Sequence, residues 1–301
     1  MGKRLLLIMN PYAGQKSGKK HLADILELFC KADYIPTVFM TTGVGNGYTL
    51  AKSHTTAHDL VVCVGGDGTF NEVMSGVIDA GVDVPIGYIP CGSTNDFASG
   101  LGLSKTPLRA ARDILEGCTK TYDVGRFGER YFSYVASFGA FTRVSYATSQ
   151  NLKNVLGHLA YILEGVKDLP NIRPVHMRLE AADAVFEDDY IFGAISNSTS
   201  LGGILTLSKE VVDMNDGLFE LLLVKYPKTA AELNECIRSL QEKNYHSPML
   251  TFHSADRLTV TTDASVDWTL DGEHEPGHAQ VTVENKHNAF RLIINTKENA
   301  R

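Results

Sequence analysis

The chain of 301 residues lacks an apolar run long enough to cross a bilayer, which takes about 18 uninterrupted apolar residues. The apolar run at its N-terminus, Leu5 to Met9, is short and is not followed by a small-residue cleavage site, so it does not resemble a signal peptide. Leu6 stands where an N-myristoylation signal requires Ser or Thr. We therefore expect a cytoplasmic protein that would meet a membrane only peripherally, at its surface.

The sequence also lacks paired cysteines and an excess of basic residues. Its five cysteines are scattered and form no C-x-x-C motif, which is typical of a reducing compartment. The net charge is −7, from 28 Lys and Arg against 35 Asp and Glu, so nucleic acid is not an expected partner. Composition leaves the oligomeric state open, including a homodimer.

Strands and helices alternate in the first part of the chain. Continuous apolar strands between helices predict a parallel sheet covered on both faces, as in a Rossmann-like α/β domain. The predicted strands cover residues 4–9, 37–41, 60–64 and 86–89, and the predicted helices cover 17–31, 70–80, 95–101 and 107–117.

The pattern changes after Tyr122, where strands predominate. A hairpin is predicted around Gly128, and helices over 152–169 and 230–242. The other predicted strands cover 175–179, 189–196, 218–224, 258–262 and 280–283. A run of strands after a run of βα units predicts a second, mostly antiparallel domain. We predict domains over 1–123 and 124–287, with the strand-bearing segment 288–301 returning to the first domain.

Three polar, glycine-bearing loops follow predicted strands: NPYAGQKSGKK, GGDGTFNE and PCGSTNDFASG. Because the carboxyl ends of parallel strands meet at one edge of a sheet, we expect these loops to form one ligand site. Gly65, Gly66 and Gly68 would let backbone amides approach a phosphate at the positive end of a helix starting near Phe70. Asp67 would repel phosphate unless Mg²⁺ lay between them. The alternative is a plain tight turn.

Two familiar nucleotide loops do not fit this sequence. The spacing Gly14-x-x-x-Gly18-Lys19-Lys20 is one residue short of a P-loop and lacks the Ser or Thr that holds magnesium. The fingerprint G-x-G-x-x-G is missing after the first strand. The hydroxyl of Thr69 could cap the following helix or bond to the ligand, and the residues leave both roles open.

The motifs GGDGTFNEV and PCGSTNDFA together resemble the catalytic domain of diacylglycerol kinases, which soluble bacterial lipid kinases share with sphingosine and ceramide kinases. NPYAG matches that family's NPxxG through Asn10 and Gly14. YDVG, NDGLFELLLV and LDGE follow in the family's order, so the resemblance covers nearly the whole chain. It implies a first domain like those of phosphofructokinases and NAD kinases, followed by a mostly antiparallel β-sandwich.

The resemblance places ATP against the GGDGT loop, in a cleft between the two domains. The nucleotide-binding residues that it implies are Asn10, Pro11, Tyr12, Ala13, Gly14, Thr41, Gly65, Gly66, Asp67, Gly68, Thr69, Phe70, Asn71, Glu72, Ser93 and Asp96. The family usually has Thr at the position of Ser93, and either hydroxyl can donate to phosphate.

The resemblance also implies that Asp67, Asp96 and Asp123 organise the catalytic magnesium. From the residues alone, Asn95 or Asp96 could simply cap a short helix. Asp123 could equally be a turn residue before Val-Gly.

A second oxygen-rich stretch, VVDMNDGLFE, could hold a hard cation or form an Asx-type turn before the next strand. By propensity alone the turn is favoured. The resemblance implies a structural magnesium held by the side chain of Asp216 and the backbone of Asp213 and Leu218. Relatives often have Lys at the position of Asp213, which matters little if a main-chain carbonyl is the ligand.

The motif LDGE places two carboxylates, Asp271 and Glu273, on either side of a glycine. Phosphoryl transfer to an alcohol needs a carboxylate near the hydroxyl proton. The resemblance makes Glu273 the expected proton acceptor, with Asp271 assisting or exchanging that role. The alternative is a hairpin turn with solvated acids. His274 and His278 lack a nearby third zinc ligand.

The acceptor is expected to bind the second domain. The apolar stripe of the helix 152–169 could be a lipid entry wall or ordinary core. Arg126, Arg130, Arg143 and Lys153 could meet anionic headgroups. We predict an ATP- and magnesium-dependent kinase of diacylglycerol or a similar lipid. The rival hypotheses are a kinase of a soluble substrate such as NAD and a nucleotide-binding regulator without turnover.

Overall fold

The computed structural model describes residues 2–14, 17–139, 173–197, 200–201, 205–206, 214–242 and 244–295. The chain forms two compact units. The first contains the residues up to Tyr122 and those from Asn288 onward, and the second runs from Asp123 to His287. The strand β5 (Cys118–Phe127) continues from the first unit into the second.

The first unit consists of a parallel sheet with helices. Its strands are β1 (Lys3–Met9), β2 (Tyr34–Met40), β3 (Leu60–Gly65) and β4 (Ile86–Pro90). Its helices are α1 (Ser17–Lys20), α2 (Leu22–Lys31), α3 (Asn46–His54), α4 (Asp67–Asp79), α5 (Asp96–Gly100) and α6 (Pro107–Glu116), with a 3₁₀ turn at Thr55–Ala57.

Strand β1 lies between β2 and β3, and β4 lies on the far side of β3, all in parallel. Every residue of β3 and β4 is buried because helices cover both faces of the sheet. Helices α2 and α6 pack on one face, where Ile25, Phe29 and Ile114 meet Leu7 and Val62. These observations confirm the predicted α/β class.

Two local predictions for the first unit were wrong, and one helix was not predicted. Helix α4 begins at Asp67 rather than near Phe70, because Gly66 is extended and takes the N-cap position. The predicted helix 17–31 divides at His21 into α1 and α2. Helix α3 was missed because the glycines at 43, 45 and 47 reduce helix propensity around its start.

The second unit is built mainly of antiparallel strands. After β5 come β6 (Arg130–Phe132), β7 (Val135–Gly139), β8 (Val175–Glu180), β9 (Val185–Ser196), β10 (Ser200–Leu201), β11 (Leu205–Thr206), β12 (Phe219–Lys225), helix α7 (Ala230–Glu242), β13 (Leu250–Ala255), β14 (Arg257–Thr262), β15 (Trp268–Leu270), β16 (Glu273–Glu275) and β17 (Gln280–Ile294).

Strand β9 organises this unit, because β7, β8 and β12 all pair with it in antiparallel fashion. Alternate residues of β12, including Phe219 and Leu221, enter an apolar core that also contains Trp268. The antiparallel second domain is therefore confirmed. The predicted hairpin turns at Gly128, and α7 has the predicted bounds.

Strand β17 is longer than predicted. The sequence indicated one strand over 280–283 and a separate final strand, whereas the structure has a single strand over Gln280–Ile294. Asn288, with φ of 53°, lies within it. Leu292 pairs in parallel with Ile86 of β4, so the end of β17 extends the sheet of the first unit.

Across the described part of the chain, none of the helices combines the length and hydropathy needed to span a bilayer. The predicted helix 152–169, with its apolar stripe, lies outside the described residues, as do Arg143 and Lys153.

Candidate active site

The three glycine-bearing loops leave the sheet of the first unit at one edge, and backbone hydrogen bonds join their starting points. The amide of Asn10 donates to the carbonyl of Val64 at 2.9 Å, and the amide of Cys91 donates to the carbonyl of Gly65 at 2.7 Å. Thr41 joins the same edge, since its amide donates to the Met9 carbonyl at 2.8 Å. The loops after β1, β3 and β4 therefore begin side by side.

Asn10 connects the first loop to the GGDGT loop. Its Nδ2 donates to Oγ1 of Thr69 at 3.1 Å, and its Oδ1 accepts the amide of Tyr12 at 2.9 Å. The Thr69 side chain is nearly buried and bonds to a neighbouring loop. The sequence left open whether Thr69 caps the helix or binds the ligand. This contact joins two loops, and it is evidence for neither role.

Asp67 connects the GGDGT loop to the third loop. Its carboxylate accepts the amides of Asp96 at 2.9 Å and Phe97 at 3.3 Å, which are the first two residues of α5. Asp67 thus caps a helix from another loop, where the sequence suggested Asn95 or Asp96 as the cap. Asn95 has φ of 54°, and its side chain instead closes the loop onto the backbone of Gly92.

The glycines in these loops permit close contact between backbones. A Cβ on Gly92 would lie 2.6 Å from Cα of Gly66, and a Cβ on Gly14 would lie 2.4 Å from the carbonyl oxygen of Cys91. Gly14 also has φ of 51°, which glycine adopts readily. The packing of these loops against one another therefore requires glycine at positions 14 and 92, independently of any phosphate.

Glu72 contacts a fourth loop, the one that follows strand β2. Thr41 is the only residue of this loop that the sequence analysis names as a site residue. Oε1 of Glu72 accepts the amide of Gly45 at 2.7 Å, and its Oε2 accepts the amide of Gly47 at 2.9 Å. These amides lie at the start of α3, where a carboxylate is electrostatically favoured. The contact involves residues 25 and 27 positions apart, and no local pattern in the sequence could reveal it.

Replacing Gly92 by alanine is expected to disrupt this loop cluster. The new Cβ would meet Gly66 Cα at 2.6 Å and Asn95 Oδ1 at 2.8 Å, so the third loop must shift away from the second. Since the resemblance places ATP at these loops, we expect about tenfold weaker binding of ATP, a loss of about 1.4 kcal/mol, measured by isothermal titration calorimetry.

Gly43→Ala is the matched control, because a Cβ at Gly43 would meet no atom within 4 Å. It should bind ATP as the natural protein does. Equal affinity in both variants would mean that the close approach of Gly66 and Gly92 has no bearing on the nucleotide.

In the second unit, Asp123 is almost fully buried and is held by several groups. Its Oδ2 accepts the amide of Gly217 at 2.7 Å, and its Oδ1 lies 2.9 Å from Nδ1 of His287. Its carbonyl accepts a hydrogen bond from Nδ2 of Asn197 at 2.8 Å. Asp123 therefore anchors the loop Asn215–Gly217, called the NDG loop below. The magnesium role predicted for Asp123 remains a prediction.

The NDG loop forms the Asx-type turn that its propensity favoured. Oδ1 of Asp216 accepts the amide of Leu218 at 2.9 Å, and the Leu218 carbonyl accepts Nδ2 of Asn285 at 2.8 Å. Asp213 lies outside the described residues. Among those that are described, no group of three or more His, Cys, Asp or Glu is arranged to hold a metal.

Glu220 lies on the strand that follows the NDG loop. Burial raises the pKa of the Glu220 carboxyl to about 8, and the charge of Asp216 contributes to the rise.

The LDGE motif forms the turn between β15 and β16, and Asp271 lies inside it. With φ of 52° and 83°, Asp271 and Gly272 both adopt the left-handed region that a tight hairpin turn requires. The buried Asp271 carboxylate accepts the amides of Ser133, Tyr134 and Val135 and the hydroxyl of Ser133. Burial raises the pKa of Asp271, while these four donors oppose the rise.

Glu273 has different partners although it is only two residues away. Its side chain is 55% exposed, and its Oε2 lies 3.3 Å from Nη2 of Arg130. The turn therefore gives one carboxylate a structural environment and leaves the other accessible. The sequence allowed Asp271 to assist Glu273 or to exchange roles with it, whereas the hydrogen bonds of Asp271 lead to the backbone of residues 133–135.

Arg126 and Arg130, the two described residues among those predicted to meet headgroups, form ion pairs with carboxylates. Arg126 pairs with Glu129 and Glu284, and Arg130 pairs with Glu273 and Glu275. Both histidines of the motif also have acidic neighbours. His274 lies 3.3 Å from Asp267, and His278 lies 3.1 Å from Glu275.

Two protein-family models match this chain, one after the other along the sequence. Residues 4–127 match the model of the diacylglycerol kinase catalytic domain, and residues 134–294 match that of the YegS C-terminal NAD kinase beta sandwich-like domain. A diacylglycerol kinase of Bacillus subtilis (strain 168) is 32% identical over 90% of each chain. A diacylglycerol kinase of Staphylococcus saprophyticus is also 32% identical, over 91% of this chain and 90% of its own.

The fold agrees with solved structures. The crystal structure of a diacylglycerol kinase from Bacillus anthracis superposes with a TM-score of 0.73 over 98% of both chains, at 21% identity. The loops and the hairpin described above therefore lie on a fold already known among these enzymes. By its two matched domains and by its relatives, the chain belongs to the diacylglycerol kinase family, and it is a kinase of that family.

Proposed function

We propose that this kinase transfers the γ-phosphoryl group of ATP to the hydroxyl of diacylglycerol, giving phosphatidic acid, in a magnesium-dependent reaction. The observation that carries the proposal is the hydrogen-bonded loop cluster of the first unit. There, Asn10, Thr69 and Asp67 join three glycine-bearing loops at the carboxyl ends of the strands. Such a loop cluster at the start of a helix is the usual place for phosphate in an α/β fold.

The residues of this cluster suit a nucleotide phosphate with a hard cation. Helix α4 begins at Asp67, so the first-turn amides of Gly68 and Thr69 belong to its positive end. Asp67 and Asp96 supply carboxylate oxygens, which are the ligands that magnesium prefers. When bound, magnesium would offset the charge of the phosphate oxygens. Asp67 also holds the third loop in place through the amides of α5.

Glu273 is the proposed proton acceptor. Phosphoryl transfer requires that the attacking hydroxyl lose its proton to a nearby base. The Glu273 carboxylate is exposed, whereas that of Asp271 is buried and accepts four hydrogen bonds from residues 133–135. In this proposal the hydroxyl proton moves to Glu273, and Asp271 keeps the turn that presents Glu273.

A lipid acceptor is proposed because relatives 32% identical over most of the chain are named diacylglycerol kinases. The protein would then meet its substrate peripherally, at a membrane surface, and supply phospholipid synthesis. NAD is the alternative acceptor, because the model matching the second unit is described as like the NAD kinase β-sandwich.

An acceptor assay tests the proposal. The purified protein receives radiolabelled ATP and magnesium with diacylglycerol in mixed micelles, with NAD, or with no acceptor. We expect labelled phosphatidic acid, its loss on chelation by EDTA, and its recovery when magnesium is restored. Label in a phosphorylated NAD, or ATP binding without transfer to any acceptor, would contradict the proposal.

A further inference from the structure

Arg130 contacts the proposed proton acceptor and a second glutamate at the same time. Its Nη2 lies 3.3 Å from Oε2 of Glu273, and its Nη1 donates to Oε2 of Glu275 at 2.6 Å. The same Nη1 donates to the backbone carbonyl of His274 at 3.1 Å. The guanidinium therefore holds three consecutive residues of strand β16, two through their side chains and one through its backbone.

The contact with Glu275 anchors the arginine. Glu275 is 7% exposed, so its carboxylate has few alternative positions. Its other oxygen, Oε1, lies 3.1 Å from Nε2 of His278, which fixes the carboxylate from the opposite side. Because Glu275 and the His274 carbonyl hold Nη1, the rigid planar guanidinium has its Nη2 directed at Glu273.

We propose that Arg130 is a positioning residue that holds the Glu273 carboxylate ready to receive the proton of the acceptor hydroxyl. This inference rests on the proposed function, because it requires Glu273 to be the base. An exposed glutamate otherwise samples many rotamers, and fixing a long side chain in one of them costs conformational entropy. An ion pair to Oε2 is compatible with catalysis, since a carboxylate has a second oxygen that can accept the proton.

The sequence also allows Arg130 to contact anionic lipid headgroups. Its two carboxylate partners argue against that role, because together they more than balance its single charge. A headgroup phosphate would have to displace a glutamate or approach a site with net negative charge. The two roles differ in the kinetic parameter that they affect, since headgroup binding affects KM for the lipid.

The test compares Arg130→Met, Arg130→Lys, Glu273→Gln and the double variant Arg130→Met/Glu273→Gln in the acceptor assay. Arg178→Met is the matched control, since Arg178 is equally exposed and also pairs with two glutamates, Glu180 and Glu187. We expect Arg130→Met to lower kcat about tenfold with KM for lipid and ATP within about twofold of the natural value. Arg178→Met should leave both unchanged, and Arg130→Lys should recover part of kcat.

The double variant is decisive, because two residues that act through one group show non-additive effects. If Arg130 acts only through Glu273, Arg130→Met should lower kcat no further in the Glu273→Gln background. Full additivity, or a rise in KM for the lipid alone, would overturn the positioning role. Full activity of Glu273→Gln would overturn the proposed base itself and this inference with it. If Arg130→Met is unfolded by circular dichroism, Arg130→Lys and the double variant Arg130→Lys/Glu273→Gln replace it. Arg130→Lys should then show a smaller loss of kcat, and the double variant no loss beyond that of Glu273→Gln.

Discussion

Replacing Glu273 by glutamine is expected to lower kcat for lipid phosphorylation by about 10²–10⁴-fold, the usual contribution of a general base. The glutamine keeps the size of the side chain and its exposure in the turn after β15, but its amide does not accept a proton at neutral pH. Binding of ATP should stay unchanged, since the loop cluster of the first unit keeps all its residues. The measurement is the steady-state rate with radiolabelled ATP, together with calorimetric binding of the nucleotide.

Glu180→Gln is the control for that substitution. Glu180 is a half-buried glutamate on a strand of the second unit, with a side chain that is 42% exposed, and it accepts a hydrogen bond from Arg178 at 2.7 Å. Its replacement should leave kcat within about twofold, as expected for a surface ion pair away from the chemistry. A Glu273→Gln enzyme with natural kcat would remove Glu273 as the base.

Replacing Asp271 by asparagine is expected to destabilise the second unit by about 1–3 kcal/mol, because at least one buried donor would lose its acceptor. With Nδ2 in place of Oδ1, the amides of Tyr134 and Val135 lose their acceptor. With Nδ2 in place of Oδ2, the Ser133 amide loses its acceptor, and the Ser133 hydroxyl has to turn and accept instead. The turn itself should tolerate the change, since asparagine adopts φ above zero as readily as aspartate. A loss of stability would therefore result from the lost hydrogen bonds and not from backbone strain.

Urea unfolding followed by tryptophan fluorescence measures this loss directly. Trp268, the sole tryptophan of the chain, is fully buried in β15, next to the turn. Asp263→Asn is the control, because Asp263 is an exposed turn residue whose Oδ1 accepts the Ser265 amide at 2.8 Å. It should change stability by no more than about 0.5 kcal/mol. Equal effects at Asp263 and Asp271 would show that the four buried hydrogen bonds do not stabilise the turn.

The two carboxylates of LDGE illustrate what local sequence leaves undecided. Both lie at the junction of two strands, both flank Gly272, and the pattern allows either to be the base. The structure buries Asp271 against residues about 137 positions earlier in the chain, while Glu273 reaches Arg130 from the surface. Only the pairing of β15 with β7 brings those distant amides to Asp271.

Asp67 is a second example. The sequence indicated a carboxylate among glycines and offered magnesium as its partner. The folded chain gives it the two amides of α5, which are 29 and 30 residues away. A cap supplied from another loop has no signature in the local pattern, so the sequence indicates Asn95 or Asp96 as the cap.

The sequence by itself determined the class of the fold, because hydrophobic periodicity and loop composition act over a few residues. It indicated the parallel strands, the bounds of α7 and the three loops at one edge of the sheet. The tertiary structure alone decided which polar groups meet: Asn10 with Thr69, Glu72 with Gly45 and Gly47, and Arg130 with Glu273. Hydrogen bonds and ion pairs act over about 3 Å, so partners that are distant in sequence are set only when the strands pair.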